Sequence, residues 1–168
     1  ERDNTDKIVE YVSEAGRMGL TVMPPDINGS DALFKVVNEK TISFGLLAIK
    51  NIGKGAAESI CCSREKSKYL SLEDLANRLD LRLANRKVLE SLIKCGALDC
   101  FGVSRAKMFA SLEMILFAAQ KTQKEISSGQ LSFFDHVSDG PGFGKTTNNL
   151  PEVKEWPEPQ LLSFEKDM

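Results

Sequence analysis

The chain has 168 residues, 42% of them apolar, with a net charge of −2, which is enough to build one good core or two small ones with room for tails. Its longest apolar run, Met114 to Ala119, is far too short to cross a bilayer, so a soluble protein with no membrane partner is expected; adjacent Cys61 and Cys62, the pair Cys95 and Cys100, and a lone His136 make no credible zinc spacing and read as free thiols in a reducing cytosol. Charge is uneven: residues 35–107 carry 14 basic and 8 acidic side chains, net +6, against 8 basic and 16 acidic elsewhere, the pattern of a polyanion-facing section between acidic flanks.

Glu1 to Asp6 are polar and lack an initiator Met, and the end at Ser163 to Met168 falls inside a helical pattern, so the chain is read as an excised fragment. Thr5 is placed to cap a helix whose apolar residues Ile8, Val9, Val12 and Ala15 follow helical spacing and which ends near Gly16 or Gly19. Pro24-Pro25 then forbids helix, and Phe34 to Val37 and Thr41 to Gly45 form a short β-hairpin around Asn38-Glu39-Lys40. From Leu46 to about Gln123 the periodicity is helical, punctuated at Gly53, Gly55, Gly96 and Gly102. Ser71 with Asp74 predicts a capping box, Asn85 caps the next helix, and Ser104 caps the longest one, which carries Met108, Phe109, Leu112, Ile115, Leu116 and Ala119. Ser127 to Asn149, rich in Gly, Ser, Asp and Asn, is a linker or an extended arm, and Leu161 to Phe164 begins a further element beyond three prolines. The fold expected is mainly α, with one short β-hairpin on the N-terminal side and an extended C-terminal arm.

The strongest local signal runs from Leu46 to Ile60 and resembles the helix-hairpin-helix motif. In that family a Gly-apolar-Gly turn presents backbone N–H groups at a helix N-terminus to a phosphate oxygen, so binding ignores base sequence. Ile52 corresponds to the apolar pin, Gly53 to the second glycine, and Asn51 replaces the first, a position where Asn tolerates positive φ better than other side chains. Lys50, Lys54 and Gly55 complete the expected phosphate site. A second, less typical copy spans Leu89 to Gly102, with Gly96 in the turn and Arg105 following; two hairpins in tandem would follow both backbones of a duplex. In the arm, Gln130-Leu131-Ser132-Phe133-Phe134 is an apolar cluster in polar sequence, and resembles the peptide by which bacterial polymerases and repair proteins hold the sliding clamp. The Gly140 to Thr146 stretch lacks the first glycine of a nucleotide-binding loop, and no nucleophile with its base or paired carboxylates present themselves, so no catalytic residue is expected.

Taken in order, Asp6 to Ile8, Met18 to Asn28, Phe44 to Leu46 with Ala48 to Lys50, and Asn85 to Asp99 make the chain similar to part of the C-family bacterial replicative polymerases, the DNA polymerase III alpha subunits. That resemblance implies the end of a fingers domain over residues 1–44, a tandem helix-hairpin-helix region over 45–123, a clamp-binding arm over 124–149, and the start of a next element over 150–168. It implies duplex DNA, the sliding clamp (beta subunit) and other holoenzyme subunits as partners, a bacterial cytoplasmic setting, no cofactor in the fragment, and magnesium in a palm domain that lies upstream with the catalytic aspartates. Two rival readings are a hairpin region of a repair nuclease or ligase, and a protein-interaction module that never meets DNA.

Overall fold

A computed structural model describes residues 5–127 and 151–167. The expected arm, with Gln130 to Phe134, His136 and Gly140 to Thr146, lies outside the described residues. Helix α1 (Thr5–Arg17) turns its half-buried Ile8, Val12 and Ala15 inward. It ends where Gly19 takes φ +76° and Leu20 N–H returns to Ala15 C=O at 2.9 Å, a left-handed stop that suits a residue without Cβ. Strands β1 (Thr21–Met23), β2 (Lys35–Asn38) and β3 (Thr41–Ser43) follow. The expected hairpin is β2 against β3, antiparallel with Val36 opposite Ile42; β1 joins the other edge of β3 in parallel, giving the order β1-β3-β2.

A 3-10 turn at Leu46–Ala48 leads into the helices α2 (Lys54–Lys66), α3 (Leu72–Arg78), α4 (Arg86–Lys94) and α5 (Arg105–Ser127), with a second 3-10 turn at Asp99–Phe101 and a final helix α6 (Glu158–Asp167). The apolar stripes of α2 to α5 close one core, in which Leu46, Ile60, Leu75, Leu89, Leu92 and Leu112 are essentially without solvent contact. Burial of each such side chain contributes about 1.5–3 kcal/mol before the entropy of ordering is subtracted.

Several helix ends are closed by side chains. Ser71 Oγ accepts from Asp74 N–H at 3.1 Å, as expected of the capping box, while the Asp74 carboxylate accepts from Leu70 N–H at 3.1 Å, one residue before the usual return. Asn85 Oδ1 accepts from Lys87 and Val88 N–H at 3.0 and 3.3 Å. At the other ends, Arg78 donates to the carbonyls of Ser63 in the last turn of α2 and of Ser67 and Lys68 just beyond it, and Gln123 Nε2 donates to those of Ala76 and Asn77 in the last turn of α3 and of Leu79 just beyond it. These carbonyls have no intrahelical donor of their own.

Residues 26–31 are stitched into this helical body. Ile27 is in its core and donates N–H to Ala97 C=O at 2.9 Å; Asn28 exchanges two hydrogen bonds with the Tyr69 backbone; Arg64 reaches Ile27 C=O, Ser30 C=O and the Asp31 carboxylate. Residues 26–31 thus pack with the helices as part of the same core.

Candidate nucleic-acid interface

The first hairpin is reduced to its essentials. Its leading helix is the single 3-10 turn Leu46–Ala48, because Ile49 is extended at ψ 132°. Ile49 and Ile52 are buried and pin the turn to the core, and between them Asn51 holds φ +67°, which among the described residues no other non-glycine does. The asparagine thus takes the left-handed conformation that the motif gives to glycine. Its side chain also has a task that glycine lacks: Nδ2 donates to Ser91 Oγ at 2.9 Å, and Ser91 lies buried on α4.

Helix α2 then starts at Lys54 with Gly53 as its N-cap, and no side-chain oxygen among the described residues caps this end. Gly53 has an ordinary φ of −80°, and a Cβ built there meets nothing within 4 Å. Neither backbone strain nor packing among the described residues requires a glycine at 53. Lys50 and Lys54 are exposed on either side, Lys54 making a loose surface pair with Glu58 at 3.7 Å, a contact of little energy. Open first-turn amides, the positive end of a helix dipole and two exposed ammonium groups make this end of α2 complementary to an anion.

A contribution that sequence reasoning missed adjoins it. Leu83 packs its methyl groups 3.4 and 3.8 Å from where a Gly55 Cβ would stand, which brings the loop between α3 and α4 beside the mouth of α2. Arg82 in that loop has 90% of its side chain exposed and pairs with Asp80, and Lys87 is exposed at the start of α4. The signal that would have found them, the basic run Arg82 to Lys87, was visible only as part of the charge island.

The second copy is built differently. Helix α4 ends at Lys94, Gly96 takes φ +82°, and the chain passes through Asp99–Phe101 into α5. Arg105, expected to meet phosphate, is 12% exposed and bound by Asp99 through two hydrogen bonds of 2.8 and 2.6 Å, by Glu165 at 2.7 Å and by Lys94 C=O at 3.2 Å. The Asp99 and Glu165 partners, with burial opposing them, push its pKa further upward. Gly96 is required by this cluster, because a Cβ there would collide with the Arg105 guanidinium. The α5 amides are taken as well: Arg105 and Ala106 N–H donate to Glu155 at 2.8 and 3.0 Å. The structure therefore brings Lys50, Asn51, Ile52, Gly53, Lys54 and Gly55 together at one open helix mouth, and places Gly96 and Arg105 in a separate, internally paired cluster.

The thiols are free: Cys62 and Cys100 are exposed, Cys61 is partly buried, and burial pushes the Cys95 thiol up to about 12. Among the described residues no group of His, Cys, Asp and Glu is arranged to hold a metal ion, and no helix is long and apolar enough to cross a membrane.

Comparison with known proteins agrees with the geometry. The chain is 41% identical over 168 residues to the DNA polymerase III subunit alpha of Thermus aquaticus, covering 99% of this chain and 13% of that protein. It is 39% and 38% identical to the subunits of the same name from Vibrio cholerae and Escherichia coli, each over 98% of this chain and 14% of the relative. The chain thus spans about one seventh of the length of the curated relatives it matches. The family described as "Helix-hairpin-helix motif" matches residues 19–108, more than half of the chain, including the open mouth of α2 and the turn at Gly96. By that match the chain belongs to the helix-hairpin-helix family.

Proposed function

We propose that this chain is the section of a DNA polymerase III alpha subunit that holds duplex DNA by its backbone, at the amides opening α2. Gly53 carries the reading: it sits at an uncapped helix mouth, is not demanded by its own φ, and has open space where a side chain would go. A glycine that the fold does not need is explained by a partner that must come close. A phosphate oxygen accepting from the first-turn amides, with Lys50, Lys54 and the neighbouring Arg82 adding charge, fixes the duplex without reading bases. The polymerase can then slide along any sequence.

In this reading the nucleotidyl transfer belongs to palm carboxylates and magnesium elsewhere in the polypeptide, in the bacterial cytoplasm, among other holoenzyme subunits. The Gln130 to Phe134 peptide supplies a second attachment, to the sliding clamp (beta subunit), with Gln130 hydrogen-bonding at a pocket edge and Leu131, Phe133 and Phe134 filling apolar clefts around Ser132. Two weak tethers on one chain raise each other's effective concentration and make dissociation rare. Gly53→Val tests the grip: duplex affinity should fall at least tenfold in an anisotropy titration while the melting temperature stays near that of the wild type. Unchanged affinity would remove the phosphate assignment. For the arm, replacing Gln130, Phe133 and Phe134 by Ala should abolish capture by the clamp and leave duplex binding intact.

A further inference from the structure

The two helix mouths differ in one respect that sequence does not show. That of α2 is open, whereas that of α5 is closed by a carboxylate supplied 50 residues downstream, Glu155, which accepts from Arg105 N–H at 2.8 Å and Ala106 N–H at 3.0 Å. Two oxygens of one anion on two adjacent first-turn amides is the arrangement a backbone phosphate would adopt there. The segment around Glu155 is firmly seated. Trp156 packs edge-on against Phe109 and Phe164, with ring centroids 5.5 and 4.9 Å away, and the Lys94 ammonium lies 5.3 Å from the centroids of both phenyl rings. From α6, Glu165 pairs with Arg105 at 2.7 Å, so that with Asp99 it surrounds the cation nearest this mouth by two carboxylates.

We propose that residues 151–167 form a strap that masks the phosphate site of the second hairpin, Glu155 standing in the place of a DNA phosphate, so that the seated chain grips duplex at the first hairpin alone. The proposal rests on the phosphate reading of the first hairpin given above. It follows that the strap sets the number of phosphates held: seated, only those at the first hairpin are gripped; lifted, the α5 amides and Arg105 add one more.

The test is a salt titration of duplex binding by the full chain, comparing the wild type with Glu155→Ala, Trp156→Ala and the charge control Glu152→Ala. Glu152 is exposed on the same segment. Glu155→Ala removes the mimic, and Trp156→Ala unseats the strap without altering charge. Both should bind duplex severalfold more tightly at low salt, with a log–log salt slope steeper by about 0.9, the increment for one added phosphate; Glu152→Ala should show no change of slope. Thermal melts of each variant establish that the core of α2–α5 is intact. If Glu155→Ala and Trp156→Ala bind no better than Glu152→Ala, the strap is not a mask and the proposal fails. Failure of the underlying reading looks different: there the wild type and Gly53→Val would bind duplex equally or not at all.

Discussion

Replacing Asn51 separates the two things it does. At φ +67° a Cβ-bearing residue without asparagine's local hydrogen bonding is strained by about 1 kcal/mol or somewhat more, and the Nδ2 bond to Ser91 Oγ at 2.9 Å contributes about 0.5–1.5 kcal/mol. Asn51→Ala incurs both losses and should destabilise the chain by about 2 kcal/mol. Asn51→Gly relieves the strain and loses only the bond, about 1 kcal/mol. Urea denaturation followed by far-UV circular dichroism should rank wild type above Asn51→Gly above Asn51→Ala, with unchanged m-values. A double-mutant cycle with Ser91→Ala isolates the side-chain bond, and its coupling should be about 1 kcal/mol. Equal stability of the Ala and Gly variants would refute the left-handed turn, and zero coupling would refute the bond to Ser91.

Three further outcomes follow from the hydrogen bonding and burial. Burial of Glu155 would raise its pKa, but the amides of Ala106, Trp156 and Arg105 with the Arg105 charge outweigh it and hold the carboxyl below the usual 4.5. A depressed pKa means the folded state prefers the carboxylate, so the strap's stabilisation is complete above the usual value and is lost as pH falls through the depressed one; emission of Trp156, the chain's sole tryptophan, should shift in acid, and Glu155→Gln should show no such acid transition. Cys95, with its thiol pushed up to about 12, should resist alkylation at pH 8 while exposed Cys62 reacts, as mapped by peptide mass spectrometry; equal rates would contradict its burial. Arg78→Met keeps an apolar stem near the Tyr69 ring, over which the guanidinium sits at 4.4 Å, but strands the Ser63, Ser67 and Lys68 carbonyls, and should cost about 2–3 kcal/mol in a denaturant melt; a loss below about 0.5 kcal/mol would show that water replaces it.

What sequence disclosed was local in its physics. The stripes of α4 and α5, the caps at Ser71 and Asn85, and the tolerance of Asn51 for positive φ all depend on residues within a few positions of one another. Strand β1 was hidden because its three residues acquire meaning only beside β3, and the stitching of residues 26–31 was hidden because Asn28 and Arg64 find their partners more than 30 residues away. That the leading helix of the first hairpin is a single 3-10 turn was not legible, since apolar spacing does not report that Ile49 leaves the helical region. Arg105 illustrates the widest gap. In a charge count it is one free cation beside a glycine turn, whereas in the fold Asp99 and Glu165 hold it and Glu155 occupies the amides beside it. No spacing rule connects residue 105 with residues 155 and 165.

The central claim, that the mouth of α2 holds duplex phosphates irrespective of sequence, is tested most directly by the salt dependence of binding to two duplexes of unrelated sequence, for the wild type and for Lys50→Gln/Lys54→Gln. The account predicts equal affinities for the two duplexes, a linear fall of log K with log salt, and a slope shallower by roughly 1.8 in the double variant, since each phosphate neutralised contributes about 0.9. A wild type that fails to bind either duplex at low salt, or a double variant with the same slope, would contradict it.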